Sequence, residues 1–138
     1  MARFLNEWRS PADDMKAEFL RLKERLSATG GRLSFVPRPG ISYSLRGFLA
    51  DEGEASERLF VMVDVIDDDP ENRWLSACFY GDDITDPDEL GDLVPQGLLG
   101  EDGYCFDVME HDDGLLAYLE DRIGEAHENS AQGAGQRA

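Results

Sequence analysis

Histidine, lysine and cysteine each occur only twice in this chain of 138 residues, and each scarcity narrows the chemistry. His111 and His127 stand in polar surroundings and are too few to build an imidazole-rich zinc centre. They also leave a nucleophile without an obvious base, and no Gly-x-Ser-x-Gly stretch occurs. A Cys105–His111 pairing is the remaining combination, but the apolar neighbours of Cys105 argue for an inert thiol. Cys78 and Cys105 lie 27 residues apart, each inside an apolar run, SACFY and GYCFD. They are expected to be buried free thiols, because cysteine packs as a small hydrophobe and a disulfide needs an oxidising compartment.

Long apolar runs are missing too. Nothing approaches 18 residues, so no membrane contact is expected. The opening MARFLNEWRSPADDM lacks the apolar core of a secretory leader. The expected location is therefore cytoplasmic. Neither G-x-G-x-x-G nor a Walker pattern occurs, and the glycines of GLLGEDG stand among acidic residues that would repel phosphate. No cofactor is expected. Length predicts one domain. With 41% hydrophobic residues the chain can build a core without metal or disulfide.

What the chain has in excess is acid. The net charge is −17, and it is uneven. Residues 1–50 hold nine Lys and Arg against five Asp and Glu, whereas residues 51–138 hold four Arg against 25 acids. Such a field repels phosphate backbones, so nucleic acid is disfavoured as a partner. A protein with a basic surface is the partner that fits. The arginines of the first third are expected to pair mostly with the acidic remainder. Adaptation to salt would explain the same acidity without any partner, since salt screens self-repulsion.

The pattern along the chain predicts helix, strands, helix. Ser10, Pro11, Asp13 and Asp14 form a helix start. Met15, Phe19, Leu22 and Leu26 follow on one face, and TGG ends it. RLSFV, ISYSLRGF, RLFVMVDVI and RWLSACFY read as strands, with turns at PRPG and DDDPEN and a polar loop at ADEGEASE. Asp102-Gly103 signals a turn into a fifth strand. A last helix is capped by Asp112 or Asp113 and has Leu115, Leu116, Leu119, Ile123 and Ala126 on its apolar face. The fold class is α+β: an antiparallel sheet of four to five strands, with an N-terminal and a C-terminal amphipathic helix on one face. The domain spans residues 1–128, and 129–138 form a disordered tail.

The stretch DVIDDDPENRWLSACFYGDD, residues 64–83, invites a metal. It fails the calcium-loop template: counting from Asp67, the sixth and twelfth positions are Asn72 and Cys78 rather than Gly and Glu. Counting from Asp86, Leu90 and Gly97 fail at the fifth and twelfth. No metal site is expected. Asp67, Asp68, Asp69, Asp82 and Asp83 are instead candidates for an acidic partner-binding face. Asp64 differs, because it sits inside an apolar strand, where burial would raise its pKa. With Tyr43, Trp74 and Tyr80 it forms a candidate ligand-binding wall on the open sheet face. Residues 86–107 make a long, Gly- and Pro-punctuated connection, expected either to function in binding or to close the sheet as a flap.

The run RWLSACFYGDDITDPDELGDLVPQGLLGEDGYCFDV, together with FVPRPGISYSLRG, resembles small bacterial proteins that share a domain of unknown function. The resemblance implies no activity and transfers no site residues. The expectation is an acidic protein-interaction or regulatory module without catalysis. The alternative is a small-molecule binder or enzyme built around Asp64.

Overall fold

A computed structural model describes residues 1–8, 15–49, 59–69 and 71–137, with side chains as far as residue 132. The described elements are α1 (Ala2–Glu7), α2 (Lys16–Ala28), β1 (Arg32–Arg38), β2 (Ser42–Phe48), β3 (Leu59–Ile66), β4 (Trp74–Tyr80), β5 (Asp92–Leu98), β6 (Glu101–Val108) and α3 (Asp113–Arg137). The class is α+β. One antiparallel sheet runs β1-β2-β3-β4-β6-β5.

The sequence pattern predicts four to five strands and two helices; the described residues form six and three. The extra strand is β5, whose Pro95 and Gly97 disguise it. Proline removes a ladder donor, which only an edge strand tolerates, and β5 is the edge. The extra helix, α1, is six residues long and too short to display a period. The turn expected at Asp102-Gly103 lies inside β6. The chain reverses at Leu99-Gly100 instead, where both residues take positive φ, 51° and 88°, the hand that matches strand twist. The helix start at Ser10-Pro11 and the loop at 50–57 lie outside the described residues. Helix α3 continues to Arg137, and Ser130 is buried.

Helices cover one sheet face. Leu45 of β2, Val61, Val63 and Val65 of β3, Leu75, Ala77 and Phe79 of β4, and Phe106 and Val108 of β6 point into it. Phe19, Leu22 and Leu26 of α2 and Leu116, Leu119, Ile123 and Ala126 of α3 meet them. Asp112 caps α3 by accepting the Leu115 N–H at 3.1 Å. Arg21 of α2 reaches Glu120 at 2.8 Å and Asp113 at 3.1 Å, and the Arg25 Nε donates to the Glu120 carbonyl. Part of the basic first third thus faces the acidic remainder.

Alternation breaks where β2 meets β3, as it does again between β5 and β6 at Val94/Leu98. Between β2 and β3 the register slips at Gly47/Phe48, an extra residue on β3. Phe60 and Val61 therefore both enter the core, while Leu59 joins the opposite face. Period-2 counting from Asp64 places Phe60 and Leu59 the other way round. Gly47 makes room for this: a Cβ there would sit 2.9 Å from both the Leu26 and the Phe60 side chains.

Candidate functional site

The far sheet face, opposite the helices, carries a polar row. Register places Ser44, Asp64, Ser76 and Asp107 side by side across β2, β3, β4 and β6. A second row beside it holds Ser34, Arg46, Met62, Cys78, Cys105 and Asp92. Ser44 is buried, and its Oγ accepts from Arg46 Nε at 3.1 Å. Asp64 Oδ1 is shielded from solvent and has no hydrogen-bond partner among the described residues. Burial raises the Asp64 pKa, opposed by the Ser44 hydroxyl and by the charges of Arg46 and Arg38. Burial, then the charge of Asp92, raises the pKa of Asp107. Two strand spacings, roughly 9–10 Å, separate Asp64 from Asp107, too far to share a proton.

Of the expected wall around Asp64, Trp74 and Tyr80 share its face. Tyr43 does not. It is one residue out of phase with Ser44 and stacks on Phe4 of α1 at 3.9 Å between ring centroids, in the helix-covered core. Arg73 is likewise on the helix side and does not reach Asp64. Its guanidinium lies within 5.3 Å of the Phe4 and Trp8 rings and 5.7 Å of Tyr43. Its Nε donates to Asp67 Oδ1 at 2.7 Å.

The five acids expected to form one docking face are not brought together. Asp67 is buried, paired with Arg73, and also accepts the Gly40 N–H. Asp83 is buried as well. Asp68 and Asp69 are exposed at the β3–β4 turn, where Asp69 accepts from the Glu71 N–H and the Asn72 side chain. Those two bonds hold the Asp69 carboxyl below its usual range. Asp82 is exposed at the other end of β4, a seven-residue strand that spans roughly 23 Å.

The cysteines correct an expectation outright. Cys78 and Cys105 are directly opposite on β4 and β6 and are disulfide-bonded, with Cα atoms 4.2 Å apart. The signal lay in strand register, which spacing alone does not reveal. His111 has no thiol beside it; it lies 3.5 Å from Glu18 and 3.2 Å from Asp113. Among the described residues no three His, Cys, Asp or Glu side chains converge on a metal position. No described helix is long and apolar enough to cross a membrane.

The connection expected over 86–107 puts Leu98 on the far face with Leu59 and Tyr80. Its lead-in, residues 82–98, runs from the end of β4 to the end of β5. Its first half is fastened to α3: Glu125 accepts from the Thr85 N–H and hydroxyl at 2.8 and 2.7 Å, and Asn129 donates to the Asp83 carbonyl. Asp86 organises the turn, accepting from the N–H groups of Leu90 and Gly91 and from the Tyr118 hydroxyl. Burial pushes the Asp86 carboxyl up, but Tyr118, the two N–H groups and Arg122 outweigh it and hold it low. Its second half is β5, where only Leu98 is buried. Leu90, Leu93, Val94 and Leu99 are 50%, 52%, 37% and 62% exposed. Asp88, Glu89, Asp92, Glu101 and Asp102 stand exposed among them.

No family model, curated protein or solved structure matches the chain.

Proposed function

We propose that the protein is a non-catalytic interaction module that docks a basic, partly apolar protein surface on its β5–β6 edge. The observation that carries this is the exposure of Leu90, Leu93, Val94 and Leu99 on a firmly built segment ringed by carboxylates. Apolar side chains framed by charge are what a partner interface offers before it is covered. The charge layout supports it. Along the sheet order, strands β1, β2, β3, β4, β6 and β5 carry +2, +1, −1, 0, −3 and −1. The uneven charge of the sequence thus becomes a gradient across the sheet, acidic at this edge. Docking runs through side chains rather than strand addition. Pro95 has no N–H to offer, and Gln96 donates its own to Asp102.

A display library of peptides varied in charge tests the proposal. Enriched peptides should be net basic with apolar residues, and binding should weaken as salt shortens the Debye length from about 10 Å at 0.1 M to about 3 Å at 1 M. Leu93→Ser and Leu99→Ser should abolish it. Enrichment without charge bias, or variants that bind as well as the parent, would sink the proposal.

A second reading has one observation behind it, the unpartnered Asp64 Oδ1. It makes the far face, with Trp74 and Tyr80, a site for a small ligand that donates a hydrogen bond. A cytoplasmic location belongs to the proposal too, and it makes a demand: the Cys78–Cys105 bond must then be reversible.

A further inference from the structure

We propose that Cys78–Cys105 is a reversible redox clip that fastens the β5–β6 hairpin to the rest of the sheet. The inference does not depend on the docking proposal; it concerns the hairpin's own stability.

Three observations converge. First, the bond ties β4 to β6, the strand that β5 pairs with among the described residues. Cys105 is also the register partner of Asp92 in β5, so the clip sits where the hairpin joins the sheet. Second, the bond lies on the far face, away from the helices. Its packing partners are few: Leu59, Tyr80 and Leu98, with Phe48 and Met62 half-buried beside them. Leu98 is the only buried side chain of β5. Third, the two sulfurs are unequal. Cys78 is 5% exposed as a residue, while Cys105 is half-buried. Ser76 Oγ lies 3.5 Å from Cys78 Sγ and can donate to a thiolate there.

The inequality fixes the direction of exchange. A thiolate of a dithiol reductant attacks Cys105 Sγ, and Cys78 leaves as the thiolate, held by Ser76, before taking a proton. The reductant's second thiol, as its thiolate, then displaces Cys105, which is protonated in turn. The protein disulfide gains two electrons and becomes two thiols; the dithiol loses two and becomes a disulfide. Oxidation reverses both steps. In the dithiol form β6 keeps its ladder to β4 but loses its covalent tie, so the hairpin opens more often.

The test combines thiol alkylation with hydrogen exchange on the native chain. Dithiothreitol without denaturant should open the bond, read as two alkylated cysteines by mass, and removal of the reductant in air should close it. Amides of residues 92–108 should then exchange roughly tenfold faster in the reduced protein, with β1 and β2 unchanged. The C78S/C105S variant should show the reduced pattern with no reductant added. A bond that resists dithiothreitol in the folded protein overturns the proposal. So does reduction that leaves residues 92–108 unchanged, or that unfolds every element together. Should the double variant fail to fold, the reduced parent protein still decides between these outcomes.

Discussion

Arg73 and Asp67 form an ion pair of 2.7 Å with only 15% and 4% of their side chains exposed. The pair closes the end of the sheet where the β1–β2 turn meets the β3–β4 turn: Asp67 also accepts the Gly40 N–H, and its own N–H donates to the Ile41 carbonyl. Three aromatic rings then surround the cation. Removing one partner strands a buried charge, a loss of about 3–5 kcal/mol. Asp67→Ala should therefore lower stability by that amount in urea unfolding. Asp68→Ala, one residue along and exposed, should change it by less than about 0.5 kcal/mol. Adding Arg73→Met to Asp67→Ala should recover much of the loss, because the stranded charge is then gone. Equal effects of the Asp67 and Asp68 variants would contradict the pairing.

Asp64 makes a pH prediction with a definite sign. Its folded pKa lies above the unfolded value because burial opposes its charge. Between those two values the folded state holds the proton more tightly, so this residue's contribution to stability falls as pH rises through that window. Asp69 and Asp86, held low, contribute in the opposite sense, so the total profile conceals the effect. The comparison with Asp64→Asn isolates it. Relative to the variant, the parent should lose stability as pH rises from about 4 to the raised folded pKa and level off beyond it. Carbon-detected titration of the Asp64 carboxyl should give a midpoint above the ordinary aspartate value. A midpoint at or below it would refute the burial argument.

The helix-and-strand pattern was legible wherever periodicity was clean. The α3 face from Leu116 to Ala126 and the apolar β3 are the clearest cases. Long-range register was not legible. The Cys78–Cys105 bond, the Phe60 inversion and the Asp67–Arg73 pair all depend on which residue faces which across neighbouring strands or turns. A single shifted position moves a side chain to the other face. Tyr43 shows the limit from the other side: its alternation with Ser44 is plain in the sequence, but only the packing of Phe4 shows which face is covered. β5 escaped because Pro95 and Gly97 are turn residues by propensity, and the Asp86 clamp that sets up the strand needs Tyr118 from α3.

Tyr118 and Asp86 give a third prediction. The tyrosine hydroxyl donates to the Asp86 carboxylate and also accepts the Asp88 N–H at 3.3 Å. Burial, then the Asp86 hydrogen bond, raises the Tyr118 pKa. Tyr118→Phe keeps the ring in place and deletes both bonds. A hydrogen bond to a charged group contributes about 1.5–3 kcal/mol when well shielded, and partial exposure here places the loss near the lower end. Exchange should quicken at Leu90 and Gly91, whose N–H groups Asp86 holds. The stability Asp86 contributes is present above the unfolded aspartate pKa and is lost as pH falls through its lowered folded value. The gap between parent and Tyr118→Phe should therefore narrow in acid. A gap that widens in acid would rule the clamp out.

Salt should stabilise this protein, and the balance of magnitudes says why. Screening weakens two opposed sets of interactions. The surface ion pairs, such as Arg3–Glu7 and Arg21–Asp113, contribute at most about 1 kcal/mol each. Against them stands the mutual repulsion of a chain with net charge −17, concentrated on strands β5 and β6 and the segment before them. Repulsion among many like charges outweighs a few exposed attractions, and it decays as the Debye length falls from about 10 Å to about 3 Å between 0.1 and 1 M salt. The thermal midpoint should rise over that range with potassium chloride as with sodium chloride, since screening is indifferent to the cation. Replacing Asp88 and Glu89 by Asn and Gln should raise the midpoint at low salt and shrink the salt-induced gain. A midpoint that falls with salt would mean that specific ion pairs, and not the acidic field, dominate the electrostatics of the fold.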